Sequence, residues 1–327
     1  MIEQPAPHGG TFQVPENPTE DISYPSIEDL QAVKEYYHEH GYVVVRNVFS
    51  DQTCDHARES FEREVKSYDG FIYRQATANP ERHVLSSSGH MLNSILNVHA
   101  LHPNNFGDFR SSGTAIVTSQ KLQNIFRAIE SDDAKLVQSM YFEGNPSTWA
   151  HQDTYYLDSE ELGRMSGIWI AAEDIAPGAG RFYVYPGSHR IDMDKNGGDF
   201  DIAFNHDRYK QLVLDIIEKF GLKCRAPALQ KGDVLFWSGK TIHGSLETTT
   251  PELSRSSFTA HYIPAETRFL QFQKRIKELN LSTVNGMQVH TAKDLQRPLN
   301  KVIFELETRA PKVFQFVKKL AVKAVTK

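Results

Sequence analysis

The sequence predicts a mainly β core, a sandwich or barrel, with helices flanking it. Three observations carry this. From Leu136 onward, short runs rich in β-branched and aromatic residues recur between turn residues: KLVQSMYFEG, GIWIAAED, RFYVYPGS, DVLFWSG and SSFTAHYIP. Before that region, apolar residues recur mostly at helical spacing. The 327 residues are 39% hydrophobic and 24% charged, which suits a globular protein with a sizeable core.

In chain order, residues 1–25 are rich in Pro, Gly and Glu without periodicity and read as an extended arm. Ser26 is placed to cap a helix with apolar positions Ile27, Leu30, Val33 and Tyr37, and Gly41 ends it. Tyr42–Val48 reads as a buried strand, and Ser50 caps a second helix reaching about Tyr68. Residues 69–113 are irregular, as a functional loop or lid would be. Residues 119–130 are helical, and a helix at about Asp207–Phe220 interrupts the strands. After about Ala265 the texture turns helical again. The stretch Arg309–Lys327 carries six basic residues and no acid. Val313, Phe316, Val317, Leu320 and Ala324 lie there at helical spacing. A packed helix with a solvated basic face is the favoured reading, ahead of contact with an anionic membrane surface.

A net charge of −5 argues against a nucleic-acid partner. No apolar run is long enough to span a membrane, and the first residues lack the pattern of a secretory signal. Two cysteines, Cys54 and Cys224, fit a reducing compartment, so a cytoplasmic location is expected.

Of the fourteen histidines, only His151 begins a His-x-Asp or His-x-Glu pattern, in His151-Gln152-Asp153. Residues two apart on a strand share a face, so an imidazole and a carboxylate could converge there on Fe(II) or Mn(II). Further on, GDVLFWSGKTIHGS leads to His243, and Arg255 follows after a Thr- and Pro-rich turn. That separation suggests a hairpin returning Arg255 on the neighbouring strand. With His243 as third ligand the set is a 2-His-1-carboxylate triad with open metal positions. An arginine inside an apolar barrel needs an anion, and a bidentate carboxylate suits it; an ordinary ion pair with Glu252 is the alternative.

These residues resemble the phytanoyl-CoA dioxygenase family of Fe(II)- and 2-oxoglutarate-dependent oxygenases. The matching pieces are GYVVVRNVFS, LVQSMYF, the HQD triplet with two tyrosines close behind, Trp169, YPGSH (Tyr185–His189), and GDVLFWSGKTIHGS with the trailing Arg255. The resemblance spans roughly residues 30–265 in scattered blocks. It implies a double-stranded β-helix (jelly-roll, cupin-like) core in a single catalytic domain over 1–327. Within it fall the arm 1–25, a helical and loop part 26–135, the core 136–265 with an insertion at 190–228, and C-terminal helices 266–327.

The resemblance further implies that His151, Asp153 and His243 bind iron and act catalytically. Arg255 and Ser245 would hold the distal carboxylate of 2-oxoglutarate. Gln138 would touch the cosubstrate's other end, and Trp169 would wall its pocket. The implied reaction uses O2, releases succinate and CO2, and oxidises an unactivated C–H bond, usually by hydroxylation; desaturation and radical ring closure are open to the same chemistry. In related halogenases the carboxylate ligand is replaced by a small residue, so Asp153 disfavours halogenation.

The substrate is expected to be a small organic molecule, with a specialised metabolite favoured over an acyl-CoA. A non-oxygenase metal-binding jelly roll is the alternative outside the class. Specificity is expected from 69–113, Thr154–Gly163 and 190–228, with Tyr155, Tyr156, Arg74 and His90 as candidate substrate residues. Tyr155 leads because it has the strand parity of Asp153. His261 shares parity with Arg255, Ser257 and Thr259 and can face the interior, but a satisfied core histidine is the favoured reading; Trp237 reads as core. The sequence says nothing of oligomeric state.

Overall fold

The computed structural model describes residues 1–199, 205–272, 274–314 and 316. Its principal strands are β1 (Tyr42–Val45), β2 (Ala134–Phe142), β3 (Ser166–Ala171), β4 (Phe182–Val184), β5 (Val234–Ser238), β6 (His243–Ser245), β7 (Ser257–Pro264), β8 (Leu281–Val284) and β9 (Met287–His290). The main sheet runs β8-β9-β2-β7-β3-β5-β1, antiparallel except where β9 meets β2. A smaller sheet pairs β4 with β6 and is widened by single bridges from His151 to His243 and from Val184 to Arg225.

Period-two alternation sorts the main sheet into two faces. Val43, Val45, Ile168, Ile170, Phe236, Phe258 and Tyr262 point outward into one hydrophobic cluster. They meet Val33 and Tyr37 of α1 (Leu30–His40), Ala57 of α2 (Asp51–Ser60), Phe109 of α3 (Gly107–Val117) and Phe126 of α4 (Gln120–Glu130). The intervening residues Tyr42, Val44, Trp169, Leu235 and Trp237 point inward and pack on Phe182 and Val184 of the smaller sheet. Burial on both faces explains why these strands read as nearly continuous apolar runs. Behind the smaller sheet, α5 (His206–Lys219) lays Tyr209, Leu212, Val213 and Ile216 against Ala150, Tyr183 and Leu246. The jelly-roll arrangement that the resemblance implied is therefore the observed one.

Local signals mostly hold. Ser50 and Ser119 cap α2 and α4 through their side-chain oxygens. Gly41 closes α1 at φ +78, where a Cβ would meet the His189 ring and Thr241. Five expectations need correction. Residues 107–113, read as part of an irregular stretch, are the start of α3. Asp29, not Ser26, accepts from the third amide of α1; Ser26 instead makes a turn upstream of it. The arm 1–25 contains a hairpin of Ile2–Pro5 with Thr11–Val14. It is held by the buried Arg181, which donates to the carbonyls of Ile175, Pro15 and Glu16. The second predicted helix passes after Ser60 into a wider π turn, Phe61–Lys66. Residues 269–290 are strands, not helices: Phe269–Gln271, Arg275–Lys277, β8 and β9. The β8–β9 hairpin turns at Asn285 (φ 49) and Gly286 (φ 81), the positive-φ pair that a tight two-residue turn requires.

The chain returns to helix only at α6 (Pro298–Arg309), tied down by Glu307, which accepts from Tyr73 and Lys293. Most of the basic stretch 309–327 lies outside the described residues. Among them no helix is long and apolar enough to cross a membrane.

His99 fastens the main sheet from its helix-covered face. Its Nδ1 meets Ser139 Oγ at 2.8 Å and its Nε2 the His290 carbonyl at 2.8 Å. Burial pulls its pKa down to about 4. Between pH 6.5 and 4 the unfolded chain therefore takes up a proton that folded His99 refuses, and stability is lost as the pH falls through that window. The expected slope from this residue is about 1.4 kcal/mol per pH unit. Denaturant unfolding at pH 6.5, 5.5 and 4.5 checks it: His99→Gln must flatten the dependence, and an unchanged slope would assign it to other groups.

Candidate metal centre

The centre is built on one pair of backbone hydrogen bonds. His151 and His243 exchange N–H···O bonds, both 3.0 Å, as a hydrogen-bonded antiparallel pair. Their side chains thus leave the backbone side by side, with ring centroids 4.5 Å apart. His151 Nδ1 lies 2.8 Å from the Trp149 carbonyl, and His243 Nδ1 2.9 Å from the Thr241 carbonyl. A ring nitrogen facing a carbonyl carries the hydrogen, so each Nε2 presents its lone pair.

Asp153 arrives differently from the strand expectation. The chain leaves the sheet after His151, and Asp153 opens a short 3-10 turn, Asp153–Tyr155. The turn brings Asp153 Oδ1 to 3.5 Å from His151 Nε2 and 3.6 Å from His243 Nε2. One ligand atom from each of the three residues lies within 4.8 Å of the others. Two imidazole nitrogens and one carboxylate oxygen, with both Nδ1 atoms already committed, form a donor set that fits iron(II).

The surroundings keep the ligands in ligating form. Burial pulls the His243 imidazole down to about 4 against the opposing pull of Asp153, so it is neutral at neutral pH. Its ring is packed between Phe182 and Trp237, at centroid distances of 5.3 and 5.0 Å. Burial alone would raise the Asp153 carboxyl, but His243, His151 and His261 together hold it well below the usual range. Its second oxygen, Oδ2, accepts from Trp237 Nε1 at 2.9 Å.

A cavity of about 130 Å³ adjoins the three residues, lined also by Met140, Phe142, Trp169, Phe182, Arg255 and Thr259. Arg255 does not return on a hairpin with β6, as the spacing suggested. β6 belongs to the smaller sheet, and the chain crosses to the main sheet, entering β7 just after Arg255. Among the described residues three arginines are buried, and two are satisfied by the fold. Arg181 meets three carbonyls, and Arg74 donates to Glu81 O, Asn93 O and His83 Nδ1. Arg255, only 3% exposed, has one carbonyl, Gly180 O at 3.1 Å, the face of Phe142 and an unpartnered Nε. No carboxylate among the described residues pairs with it, Glu252 included. Burial pulls its pKa down to about 9, still charged at neutral pH. The arrangement is a buried cation on a cavity wall without its anion.

The other predicted residues divide. Trp169 lines the cavity. Ser245 does too; its hydroxyl donates to Asn145 Oδ1 at 3.1 Å and accepts from the Thr148 amide at 2.8 Å. Gln138 stands opposite His261 in the β2–β7 register but is not among the lining residues. Tyr156 stays close, its ring 6.2 Å from that of His151. Tyr155 does not: the 3-10 turn breaks strand parity, and its hydroxyl donates to Asp194 while its ring packs on Tyr209. Arg74 is consumed by its own loop, and Gln75 beside it reaches the cavity instead. His90 is engaged elsewhere, by the Glu252 carbonyl at 3.0 Å. Two residues read as core belong to the site. Trp237 holds Asp153, and His261 lines the cavity with Nε2 3.5 Å from Asp153 Oδ2 and Nδ1 unpartnered, so it is not a satisfied core histidine. Strand parity was the available signal for both.

Comparison with known proteins agrees with this geometry. The family model described as phytanoyl-CoA dioxygenase matches residues 37–257. The chain belongs to the phytanoyl-CoA dioxygenase family. It is accordingly a non-haem iron dioxygenase that uses 2-oxoglutarate and O2. Within the family it is 24% identical over 267 residues to the phytanoyl-CoA dioxygenase domain-containing protein 1 homolog of Caenorhabditis elegans, covering 70% of this chain and 89% of the relative. It is 25% identical over 254 residues to phytanoyl-CoA dioxygenase 1 of Oryza sativa subsp. japonica, covering 75% and 84%. In fold it is similar to the 2-oxoglutarate-dependent epimerase SnoN from nogalamycin biosynthesis (TM-score 0.57, 15% identity, 81% and 96% covered). It is also similar to EctD from S. alaskensis, crystallised with iron (0.51, 16%, 83% and 86%).

The unpaired Arg255 has a consequence for stability. Replacing an uncompensated buried charge by an apolar side chain of similar length removes its desolvation cost. Arg255→Met is expected to stabilise the metal-free protein by about 1 kcal/mol or more. Thermal or denaturant unfolding measures this, and a destabilisation of similar size would mean that the fold itself satisfies Arg255.

Proposed function

We propose that the enzyme oxidises an unactivated C–H bond of a small organic substrate, with His151, Asp153 and His243 holding iron(II) and Arg255 holding 2-oxoglutarate. The carrying observation is a cavity that joins a buried, unpaired guanidinium to a two-histidine, one-carboxylate donor set. A dicarboxylic 2-oxo acid answers both ends of that cavity.

Iron, when bound, supplies with 2-oxoglutarate and O2 the oxidising power for the C–H bond, the cosubstrate leaving as succinate and CO2. The chain's own groups do the rest. The backbone pairing of His151 with His243 sets the spacing of two ligands before any metal arrives. Asp153, held ionised, offers an oxygen without first releasing a proton. Arg255 binds the cosubstrate's distal carboxylate through its guanidinium fork, gaining the anion that its burial demands. Ser245 turns its hydroxyl from Asn145 to donate to the same carboxylate. Trp169, Phe142, Met140 and Phe182 exclude water from the pocket.

For the substrate we favour a small specialised metabolite over an acyl-CoA. Trp149 and Tyr156, at centroid distances of 5.5 and 6.2 Å from His151, form aromatic walls beside the centre, with His206 and Lys210 next to them. SnoN has been crystallised with nogalamycin RO, and EctD with 5-hydroxyectoine, both small molecules.

Anaerobic titration with Fe(II) and then 2-oxoglutarate tests the cofactor roles. The chelated 2-oxo acid is expected to give a visible metal-to-ligand charge-transfer band in the parent. Asp153→Ala should alter or abolish it, and Arg255→Ala should raise the 2-oxoglutarate concentration needed by about 100-fold or more, from the loss of about 3 kcal/mol of paired-ion binding. No band from folded, iron-loaded parent would sink the assignment. For the substrate, succinate release is screened against small metabolites and an acyl-CoA side by side; coupling to the thioester alone would overturn the metabolite reading.

A further inference from the structure

One row of residues crosses the main sheet beneath Asp153. Trp237 on β5 pairs with Gly167 on β3, and Gly167 pairs with His261 on β7. A Cβ on Gly167 would lie 2.2 Å from Cε2 and Cζ2 of the Trp237 ring. The missing side chain is therefore what lets the indole lie across the middle strand. Lying there, it directs Nε1 at Asp153 Oδ2, 2.9 Å away. From the opposite side of the same glycine, His261 brings Nε2 to 3.5 Å from that oxygen. The two rings stand nearly perpendicular, at 86°, with centroids 6.0 Å apart.

The two oxygens of Asp153 thus face different partners. Oδ1 faces the Nε2 atoms of His151 and His243, whereas Oδ2 faces Trp237 and His261. His261 does not belong to the cluster of possible ligand atoms, which comprises His151, Asp153 and His243. A carboxylate with both oxygens free can take two positions on a metal. One whose second oxygen is engaged by N–H donors takes one, leaving the other for cosubstrate or O2. Unlike His151 and His243, whose Nδ1 atoms are bonded to carbonyls, His261 has no partner at Nδ1, so nothing holds its hydrogen there and Nε2 is the nitrogen that can donate to Oδ2. Its Nδ1, buried and without a partner, leaves the ring free to settle closer to Oδ2.

We propose that Trp237 and His261, seated on either side of Gly167, clamp Asp153 Oδ2 and restrict the carboxylate to one-oxygen ligation of the metal. Both are positioning residues, and the inference rests on the metal-centre reading above.

The test uses the full chain and metal alone. Mn(II) binding is followed by electron paramagnetic resonance and Fe(II) binding by anaerobic titration, with Trp237→Phe, His261→Leu and His261→Gln beside the parent. Trp237→Phe keeps a large ring but loses the N–H; His261→Gln keeps a side-chain N–H donor. Circular dichroism and thermal unfolding of the metal-free proteins separate folding from binding. Trp237→Phe and His261→Leu are expected to fold as the parent does, to bind metal about 10–100-fold more weakly, and to show an altered Mn(II) spectrum. His261→Gln is expected to recover most of the affinity. Parent-like affinity and spectra in the folded Phe and Leu variants would overturn the clamp while leaving the metal centre intact. Equal weakening in His261→Gln and His261→Leu would overturn the hydrogen-bond role of His261. Absence of metal binding in the parent would overturn the metal-centre reading and the clamp with it.

Discussion

Two backbone hydrogen bonds between His151 and His243 are the constraint on which the site depends. They join chain segments far apart in sequence, and in a pair of this kind the side chains emerge on one face at a fixed separation. The smaller sheet exists around that pairing: β6 carries His243 and Ser245, and β4 braces it from the other edge. Inward-facing Trp169, Leu235 and Trp237 of the main sheet then close over it. The ligands are held by regular structure on one side and by a single 3-10 turn on the other, which is where Asp153 enters.

The buried arginines show how this fold treats charge. Arg181 and Arg74 are enclosed and answered by carbonyls and a histidine, so the chain can satisfy a buried guanidinium without any carboxylate. At Arg255 it supplies one carbonyl and an aromatic face. The difference marks Arg255 as a group whose partner is brought from outside, and burial makes that partner's charge count for more than it would at a surface.

Much of this was legible in the sequence, sometimes for an imperfect reason. His151-Gln152-Asp153 marked the centre because an acid two residues from a histidine is uncommon here; strand parity was invoked to bring them together, whereas a turn does it. The same misplaced parity promoted Tyr155, which the turn sends to Asp194. Arg255 was recognised, but its path was misjudged, because chain separation cannot tell a hairpin from a crossing between sheets. Trp237 and His261 lie in runs apolar enough to look like core, and they are core; one polar atom of each makes the difference. The strands of 269–290 were missed because residues such as Arg275–Lys277 and Leu281–Val284 lie largely exposed on short edges and lack strong alternation, although Asn285-Gly286 marked a tight turn.

The chain has three tryptophans, and all three stand around the centre. Trp149 lies 5.5 Å from the His151 ring, Trp169 lines the cavity, and the Trp237 indole is bonded to Asp153. The tryptophan emission of this protein therefore comes wholly from its working end. A paramagnetic ion seated among these rings quenches the light of all three tryptophans at once, so arrival and departure of the metal can be followed optically, in real time and without a label.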